Sequence, residues 1–462
     1  MNVMEQFKKL IRTVFAGVLI ICETLVFAHI WLADYNDYIV VPFVQKGNWF
    51  FYFVYVVLFL LFLKSYDGLK YGTYRRTNLI IAQILATVTT AFIIYLQIVL
   101  LTARFVTPVP LLVMIVWDAV IIVALIFGGD FLMKKLFPAR KTLVIYDAYA
   151  PEQFLDKIAH RKDKFSVEKV VNISDVADEL EELVKDFEAV IVYDVHSEQR
   201  NKILKSCFKN NIRAYSTTKV SDILVRGSEM VHMFDSPLLL YRNMGLTFVE
   251  RFLKRSFDIV FSLILLVVTS PFLLISALAI KLYDGGPVFF RQARSTLNGK
   301  VFRIHKFRSM IVDAEKDGAK PAEDNDPRIT PVGKFLRASR LDELPQLIDI
   351  LLGDMSFVGP RPERVEHVLQ YSEEIPEFSY RLKVRGGLTG YAQLYGKYNT
   401  TPYDKLQLDL MYIQNYTFLL DIKLILMTVK IMFMKESTEG FTKENSEKIN
   451  EKSKENEENK AE

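Results

Sequence analysis

Four long apolar runs near its start constrain this 462-residue chain more than any other feature. The runs cover about residues 11–32, 49–63, 79–101 and 111–131. Stretches of ~20 apolar residues cross a bilayer as helices, because a helix satisfies its own backbone hydrogen bonds in lipid. The second run reaches that length only if it extends back toward residues 40–44. The sequence therefore predicts an α-helical membrane domain of four transmembrane helices over residues 1–136.

Basic residues flank only some of these runs, which predicts an orientation. They precede the first run (Lys8, Lys9, Arg12), follow the second (Lys64, Lys70, Arg75, Arg76) and follow the fourth (Lys134, Lys135, Arg140, Lys141). Because cytoplasmic loops carry an excess of Lys and Arg, the N-terminus and everything after residue 136 should be cytoplasmic. Glu23 and Asp118 lie inside apolar runs, where they serve either a functional site or a polar contact between helices.

Residues 137–240 alternate short apolar runs with polar helical patterns. Residues 142–146 and 189–193 are typical of buried parallel strands, and residues 176–187 of a helix. This alternation predicts a Rossmann-like α/β domain. A dinucleotide site would place glycines after the first strand, but residues 147–150 read Asp-Ala-Tyr-Ala. A packing, oligomerisation or regulatory role is therefore favoured over dinucleotide binding.

A fifth apolar run, residues 257–282, is long enough to span a membrane but is interrupted by Ser270 and Pro271. Cations stand on both sides of it, which argues against a simple crossing. Pro271 removes one backbone hydrogen bond, and a neighbouring hydroxyl such as that of Ser270 can compensate the freed carbonyl. We expect a kinked re-entrant helix that enters and leaves through the cytoplasmic leaflet; a proline-kinked full span is the alternative.

Composition adds two limits. The only cysteines are Cys22 and Cys207, so a disulfide framework is not expected and a reducing compartment is reasonable for the soluble part. Residues 435–462 consist almost entirely of Lys, Glu, Asn and Ser, which predicts a disordered tail.

The segment Ser-Arg-Leu-Asp-Glu-Leu-Pro-Gln-Leu, residues 339–347, places two adjacent carboxylates inside a basic, Gly/Pro-punctuated region. Ser339 has capping-box spacing to Asp342, and Pro345 would still lie near the first helical turn. Asp342 and Glu343 would then lie at a helix N-terminus, where free N–H groups keep carboxylates ionised and also attract phosphate. The alternative is that both acids merely cap a helix.

Cations surround these acids along the sequence, often next to Gly or Pro. They are Lys306, Arg308, Arg328, Arg337, Arg340 and Arg361. Arginine forks onto phosphate oxygens, and rigid turns hold it in place. Any one of these cations could simply belong to a solvent-exposed basic surface. That explanation is weaker for several basic clusters that occur together. The pattern favours a site that handles phosphates, with a divalent metal as an option.

Several long motifs follow one another in the order found in the bacterial sugar transferases. They are Lys254-Arg255-x-x-Asp258, Gly286-Pro287-Val288, Lys306-x-x-Ser309-Met310, Leu341-Asp342-Glu343-Leu344-Pro345-Gln346, Ser356-x-Val358-Gly359-Pro360-Arg361-Pro362 and Gly387-Leu388-Thr389-Gly390-x-Ala392-Gln393. Over about residues 250–434 the chain resembles the monotopic polyprenol-phosphate phosphoglycosyl transferases. The preceding helices and α/β domain resemble the large form, as in undecaprenyl-phosphate galactose or glucose phosphotransferases. Thr296 and Gly386 depart from the family's usual glycine and proline, which affects loop shape and sugar choice.

The resemblance implies an α-rich catalytic domain over residues 250–434 that contains the re-entrant helix, shaped by Ser270 and Pro271. It implies that Asp342 attacks the β-phosphate of a UDP-sugar, releases UMP and passes the sugar-phosphate to a polyprenol phosphate. Glu343 is implied as a ligand of Mg²⁺, because hard cations prefer carboxylate oxygen. The resemblance also implies that phosphate oxygens are bound by Lys306, Arg308, Arg337 and Arg361.

The expected partners are the UDP-sugar, the polyprenol phosphate and the lipid bilayer, with no nucleic acid and with a homodimer left open. The expected location is the bacterial cytoplasmic (inner) membrane, with the active site on its cytoplasmic face. The sequence does not select the sugar of the donor among glucose, galactose and N-acetylated or deoxyamino sugars. It also does not select the glycan pathway among capsule, exopolysaccharide, O-antigen and glycoprotein.

Two other functions compete with this one. A membrane-anchored nucleotide-sugar dehydratase would also join four helices to a Rossmann domain, but it needs a glycine-rich cofactor loop that is missing after Tyr146. A non-enzymatic scaffold of a polysaccharide assembly complex is the second alternative.

Overall fold

The computed structural model describes residues 3–434, except 40, 148, 150, 160, 177–178, 242–244, 315–325 and 397–399. The tail predicted over residues 435–462 lies outside the described residues. The chain forms two compact units, Met1–Thr218 and Lys219–Glu462. The boundary between them falls before residue 240, the predicted end of the middle domain, because Val220 and Ile223 pack into the core of the second unit.

The helices and strands follow one another along the chain in this order. The first unit contains α1 (Val3–Ile30), α2 (Lys46–Ser65), α3 (Arg76–Thr102), α4 (Val109–Leu136), β1 (Arg140–Tyr146), α5 (Glu152–Ala159), β2 (Phe165–Asn172), α6 (Ile173–Val176), α7 (Leu180–Lys185), β3 (Ala189–Tyr193), α8 (Ser197–Lys209) and β4 (Arg213–Ser216). The second contains α9 (Val220–Arg226), β5 (Glu229–Met233), β6 (Ser236–Leu240), α10 (Phe248–Asp284), β7 (Phe289–Ser295), β8 (Val301–Phe307), α11 (Pro331–Ala338), α12 (Gln346–Leu352), β9 (Met355–Val358), α13 (Val365–Glu374), β10 (Gly386–Thr389), α14 (Tyr391–Tyr395), α15 (Pro402–Gln414) and α16 (Phe418–Met432).

Five helices in the described part of the chain are long and apolar enough to cross a membrane. They are Phe7–Tyr38, Lys46–Ser65, Arg76–Thr102, Val109–Leu136 and Phe248–Asp284. The first four match the apolar runs of the sequence, and the second reaches 20 residues because it begins at Lys46. The chain is thus organised as a membrane protein, with a mixed α/β region after the first four helices.

The two acids of the apolar runs are both fully buried inside the first unit. Glu23 Oε2 accepts a hydrogen bond from Thr87 Oγ1 at 3.0 Å. Among the described residues, neither carboxylate oxygen of Asp118 has a hydrogen-bond partner. Glu23 therefore forms a polar contact between α1 and α3. The burial of the Asp118 carboxyl group is not compensated by a hydrogen bond from the described residues.

The strands of the first unit form one parallel sheet in the order β2-β1-β3-β4. Both faces of this sheet are covered. Leu143 and Val190 pack into the cluster on one face, and Val144 and Ile191 pack into the cluster on the other. Burial on both faces explains why strands β1 and β3 read as continuous apolar runs in the sequence.

Helix α10 is the longest element of the second unit, with 37 residues. It extends beyond the predicted range of 257–282 at both ends. It begins with a capping box between Thr247 and Glu250 and ends at Gly285, whose φ of 69° lies in the left-handed region that favours glycine. The helix continues through Pro271, and Ser270 Oγ donates to the carbonyl of Val267 at 2.7 Å. That carbonyl is the one that Pro271 leaves without an N–H partner, so the predicted hydroxyl compensation is confirmed.

The described part of the second unit contains three short pairs of strands. β5 pairs with β6 and β7 with β8 in antiparallel orientation, and β9 and β10 pair in parallel. Gly359 and Gly387 meet between the ends of β9 and β10, where a Cβ on Gly387 would lie 2.1 Å from the Gly359 nitrogen. Only two glycines allow this approach, which fixes the loop that follows β9.

Candidate active site

Three elements of the second unit bring a carboxylate and two cations together. Lys306 lies near the end of β8, Glu343 lies in a 3₁₀ turn at Leu341–Glu343, and Arg361 lies in the loop after β9. Lys306 Nζ donates to Glu343 Oε1 at 2.9 Å, and an Arg361 guanidinium nitrogen donates to the same oxygen at 3.0 Å. Residues that are distant in sequence thus form one charged cluster.

The local structure of the acidic segment differs from the predicted capping box. Ser339 does not cap the next helix: it ends α11, and its Oγ donates to the carbonyl of Phe335 at 2.8 Å. The reason is that Arg340 takes a left-handed φ of 59°, which breaks the chain between Ser339 and the acids. The acids instead occupy the 3₁₀ turn just before α12, and Pro345 is the N-cap of that helix.

Glu343 is held ionised by its neighbours. Burial alone would raise the pKa of its carboxyl, but the charges of Arg361 and Lys306 and their hydrogen bonds hold the pKa well below its usual range. The same pairing raises the pKa of Arg361. Burial, partly offset by the charge of Glu343, lowers the pKa of Lys306.

Asp342 is in a different situation, although it is the next residue. Among the described residues, it makes no hydrogen bond or ion pair of its own. Burial and the negative charge of Glu343 raise the pKa of Asp342, against the smaller opposing effects of Lys306, Arg337 and Arg340. The two adjacent acids are therefore electrostatically distinct: one is fixed by cations, and the other is unpartnered.

The two other predicted phosphate-binding residues lie in separate contacts. Arg337 Nε donates to Ser309 Oγ at 2.8 Å, so this arginine stands on the α11 side of the acids. Arg308 is 7% exposed and pairs with Asp284 at the end of α10. Lys306 and Arg361 therefore bind Glu343 directly, whereas Arg308 is paired at the C-terminal end of α10.

Sequence reasoning missed the residues that support Arg361. Arg381, 1% exposed, donates to the Arg361 carbonyl at 3.0 Å and pairs with Asp409 at 2.6 Å. Its guanidinium also lies 3.7 Å from Glu363, which in turn pairs with Lys405. No spacing in the sequence connects these residues, because they come from three separate elements.

Motif residues near the start of α10 proved to anchor that helix. Lys254 Nζ donates to Asp421 at 2.6 Å, and Asp258 accepts hydrogen bonds from Ser356 Oγ and the Phe357 N–H, both at 3.1 Å. Both anchors are buried. Lys254 attaches the N-terminal part of α10 to α16, and Asp258 attaches it to β9, the strand that leads into the Arg361 loop.

The two positions that depart from the family pattern contact each other. Thr296 Oγ1 accepts a hydrogen bond from the N–H of Gly386 at 3.1 Å and donates to the Asp354 carbonyl at 2.9 Å. A proline at 386 would have no N–H to donate, and a glycine at 296 would have no hydroxyl to accept it. The two departures thus form one structural unit.

The described residues contain no metal site made of protein ligands alone. No group of three or more of their His, Cys, Asp or Glu side chains could hold a metal ion. Mg²⁺ does not require one, because it is commonly held by one or two carboxylates together with substrate phosphates and waters. Both cations bind Glu343 through Oε1, so Oε2 is left for another ligand. The donor set therefore fits Mg²⁺ only in combination with phosphate oxygens.

The region that contains these residues is similar to known proteins. The model of the family described as "Bacterial sugar transferase" matches residues 249–435. A UDP-N-acetylgalactosamine-undecaprenyl-phosphate N-acetylgalactosaminephosphotransferase of Aeromonas hydrophila is 37% identical over 232 residues, which cover 50% of this chain and 54% of that protein. A UDP-glucose:undecaprenyl-phosphate glucose-1-phosphate transferase of Escherichia coli K12 is 42% identical over 210 residues, or 44% of each chain.

A third relative is matched over nearly its whole length. The exopolysaccharide production protein PSS of Rhizobium leguminosarum is 42% identical over 186 residues, which cover 38% of this chain and 93% of that protein. The chain spans only about half the length of the first two relatives. The region that the family model matches contains Lys306, Asp342, Glu343 and Arg361. From this region we conclude that the chain belongs to the bacterial sugar transferase family.

Proposed function

We propose that this chain transfers a sugar-1-phosphate from a UDP-sugar to a polyprenol phosphate such as undecaprenyl phosphate, through a covalent intermediate on Asp342. The observation that carries the proposal is the contrast between the two adjacent acids. Glu343 is bound by Lys306 and Arg361, whereas Asp342 is unpartnered and has a raised pKa. A carboxylate with these properties is suited to attack phosphorus.

The reaction is a double displacement at one phosphorus atom. A carboxylate oxygen of Asp342 attacks the β-phosphorus of the UDP-sugar, and the bond to the bridging oxygen of the α-phosphate breaks, so that UMP leaves. A phosphate oxygen of the polyprenol phosphate then attacks the same phosphorus. The acyl phosphate bond breaks, Asp342 is regenerated, and the product is a polyprenyl diphosphate sugar.

The cations of the cluster would serve this chemistry by holding phosphate oxygens. Lys306 and Arg361 converge on a single carboxylate oxygen, so a diphosphate arriving there would meet two positive charges that are already positioned. Arg337, fixed by Ser309, would add a third from the side of α11. We retain the phosphate-binding assignment of Arg308 as a prediction, although its pairing with Asp284 gives it a structural role in this state.

Mg²⁺ would be held by Glu343 Oε2 together with oxygens of the donor diphosphate. When bound, the ion supplies positive charge that lowers the repulsion between an anionic nucleophile and an anionic substrate. Lys306 and Arg361 fix the orientation of Glu343 independently of the ion.

The attachment of α10 supports a re-entrant path for this helix. Near its start, Lys254 pairs with Asp421, and near its end Asp284 pairs with Arg308, so both ends are fixed to one folded unit. Between them, residues 259–279 contain no charged side chain and expose many apolar ones. A simple crossing would put the two ends on opposite sides of a ~30 Å hydrocarbon core. The proposal is that the middle of α10 enters the cytoplasmic leaflet of the inner membrane and returns.

The test is intact-mass analysis of the full chain incubated with donor alone. A UDP-sugar that is a substrate should add the mass of one hexose phosphate, map to the peptide containing Asp342 and release one equivalent of UMP. Hydroxylamine should remove the adduct, because it cleaves acyl phosphates. Asp342→Asn should show neither adduct nor UMP. An adduct on another residue, or full turnover by this variant, would reject the nucleophile assignment.

A panel of UDP-sugars in the same assay would identify the donor. The names of the relatives include N-acetylgalactosamine and glucose, so these two come first, followed by galactose. Silence across the whole panel, with Mg²⁺ and polyprenol phosphate present, would favour the scaffold alternative.

A further inference from the structure

A cationic cavity of about 200 Å³ lies inside the first unit, outside the region that the family model covers. It is bordered by the start of α1, the loop before α3, the end of α4, the starts of β1 and β4 and the turn before β2. Its basic residues are Lys8, Arg12, Lys134, Arg140, Lys164 and Arg213. Nothing in the proposed transfer reaction uses them.

The two carboxylates of the cavity do not balance this charge, because each is already paired. Asp130 pairs with Lys134 at 3.0 Å and also with Arg76, and Asp163 accepts two hydrogen bonds from Arg161. Among the described residues, none of the three cations Lys8, Arg12 and Lys164 forms a salt bridge. Their positive charge is therefore left for a ligand from outside the chain.

Neutral groups position these three cations. Lys164 Nζ donates to the Thr73 carbonyl at 2.8 Å, and an Arg12 nitrogen donates to Thr73 Oγ1 at 3.3 Å. Lys8 Nζ lies 4.9 Å from the centre of the Phe137 ring. Among the described residues, Arg12 Nε is buried without a hydrogen-bond partner. A buried donor left unpaired is costly, and an anion in the cavity would satisfy it.

The electrostatics favour the same conclusion. Burial, together with the positive charges of Arg161, Lys8 and Arg12, lowers the pKa of Lys164 to about 8, although Asp163 opposes this. Like charges held together without a counter-ion repel, and a multiply charged anion would relieve that repulsion.

We propose that this cavity binds a phosphate group, held by Lys8, Arg12 and Lys164. Met133 and Phe137 give it an apolar wall beside the cations, a combination that suits either the phosphate of a lipid headgroup or a free phosphate. Its volume is below the ~300–1,000 Å³ of sites that enclose drug-sized ligands, so the ligand enters with its phosphate end only.

The experiment compares phosphate-dependent stabilisation of the full chain in four forms: wild type, Lys8→Gln, the double variant Lys8→Gln/Lys164→Gln, and Lys9→Gln. Lys9 is the matched control, since it is the exposed neighbour of Lys8 on α1 and does not border the cavity. One arm titrates inorganic phosphate in neutral detergent, with chloride at equal ionic strength as reference. The other compares nanodiscs of phosphatidylcholine with and without phosphatidic acid.

Wild type and Lys9→Gln should both show an upward shift of the unfolding temperature, and the double variant should need at least tenfold more ligand for the same shift. A response confined to the nanodisc arm assigns a headgroup, and one confined to the detergent arm assigns a soluble phosphate. Equal responses of wild type and the double variant in whichever arm responds would overturn the proposal. So would the absence of any response to phosphate beyond that to chloride in detergent together with no response to phosphatidic acid in nanodiscs. If the double variant does not fold, Lys8→Gln alone must weaken binding and Lys164→Arg must preserve it.

Discussion

The hydroxyl of Thr296 accepts a hydrogen bond from the backbone N–H of Gly386 at 3.1 Å, inside the buried part of the second unit. The same hydroxyl donates to the Asp354 carbonyl, so one side chain links the β7–β8 hairpin to the ends of β9 and β10. Proline at 386 would remove the donor, and its ring would press on Pro362, which lies 2.5 Å from an ideal Cβ at this position.

Thr296→Val should therefore lower the free energy of unfolding by about 1–3 kcal/mol, because it leaves a buried N–H unpaired while keeping the side-chain volume. Thr296→Ser keeps the hydroxyl and is the matched control. Denaturant unfolding in detergent measures both. Equal stability of the Val and Ser variants would show that this hydrogen bond contributes nothing.

Lys306→Met should reduce kcat/KM for UMP release by ~100-fold, because it removes one of the two cations that the proposed function assigns to phosphate oxygens. Lys300→Met is the control: Lys300 immediately precedes β8, is exposed, and forms a salt bridge with Asp354. Steady-state UMP release with the identified donor measures both. If the Lys306 and Lys300 variants lose activity equally, the loss reflects the hairpin and not the site.

The pH dependence of the first step should identify Asp342 as the titrating group. Burial and the charge of Glu343 raise the pKa of Asp342, so the reactive carboxylate is lost as pH falls through a value above the ordinary ~3.9. Glu343→Gln removes the like charge and should move this acid limb to lower pH, even though the rate itself falls. Single-turnover UMP release across pH measures the limb. A shift to higher pH would assign it to another group.

Acid should destabilise the second unit partly through Glu363. Burial alone would raise the pKa of this carboxyl, but Lys405 and Arg381 lower it to about 2. A lowered pKa in the folded state stabilises the protein above the unfolded value of ~4.3, and this stabilisation is lost between about pH 4.3 and 2. Its size at neutral pH is on the order of a few kcal/mol.

Glu363→Gln should therefore be less stable than wild type at pH 7, and the difference should shrink as pH falls below about 4.3. The exposed Glu373→Gln is the control. Thermal unfolding between pH 7 and 3 measures all three proteins. A difference that stays constant over this range would contradict the predicted role of the Glu363 ion pairs.

A tag or single cysteine placed after Leu282 should be unreachable by an impermeant label in intact cells and reachable in permeabilised cells. The reason is that both ends of α10 are attached to one unit, which a re-entrant helix keeps on the cytoplasmic side. A cysteine in the loop between α1 and α2, which the positive-inside rule places outside, is the positive control. External labelling after Leu282 would instead support a full span.

The apolar runs, the strands and the acidic motif could all be read from the sequence because each depends on neighbouring residues. Run length predicts a membrane helix, continuous apolar residues predict buried strands such as β1 and β3, and Asp342 and Glu343 stand out by their basic surroundings. The role of the Ser270 hydroxyl was also predictable, since Pro271 frees a carbonyl at a fixed distance along the helix.

Tertiary structure alone decided which cations reach which acid. Lys306 and Arg361 meet on one oxygen of Glu343 only because β8, the 3₁₀ turn and the loop after β9 converge, and Arg381 supports that loop from another element. The predicted capping box at Ser339 fails because Arg340 takes a left-handed φ of 59° and separates Ser339 from the acids. Local patterns fix elements and candidate residues, whereas the pairing of charges depends on contacts between residues far apart in the chain.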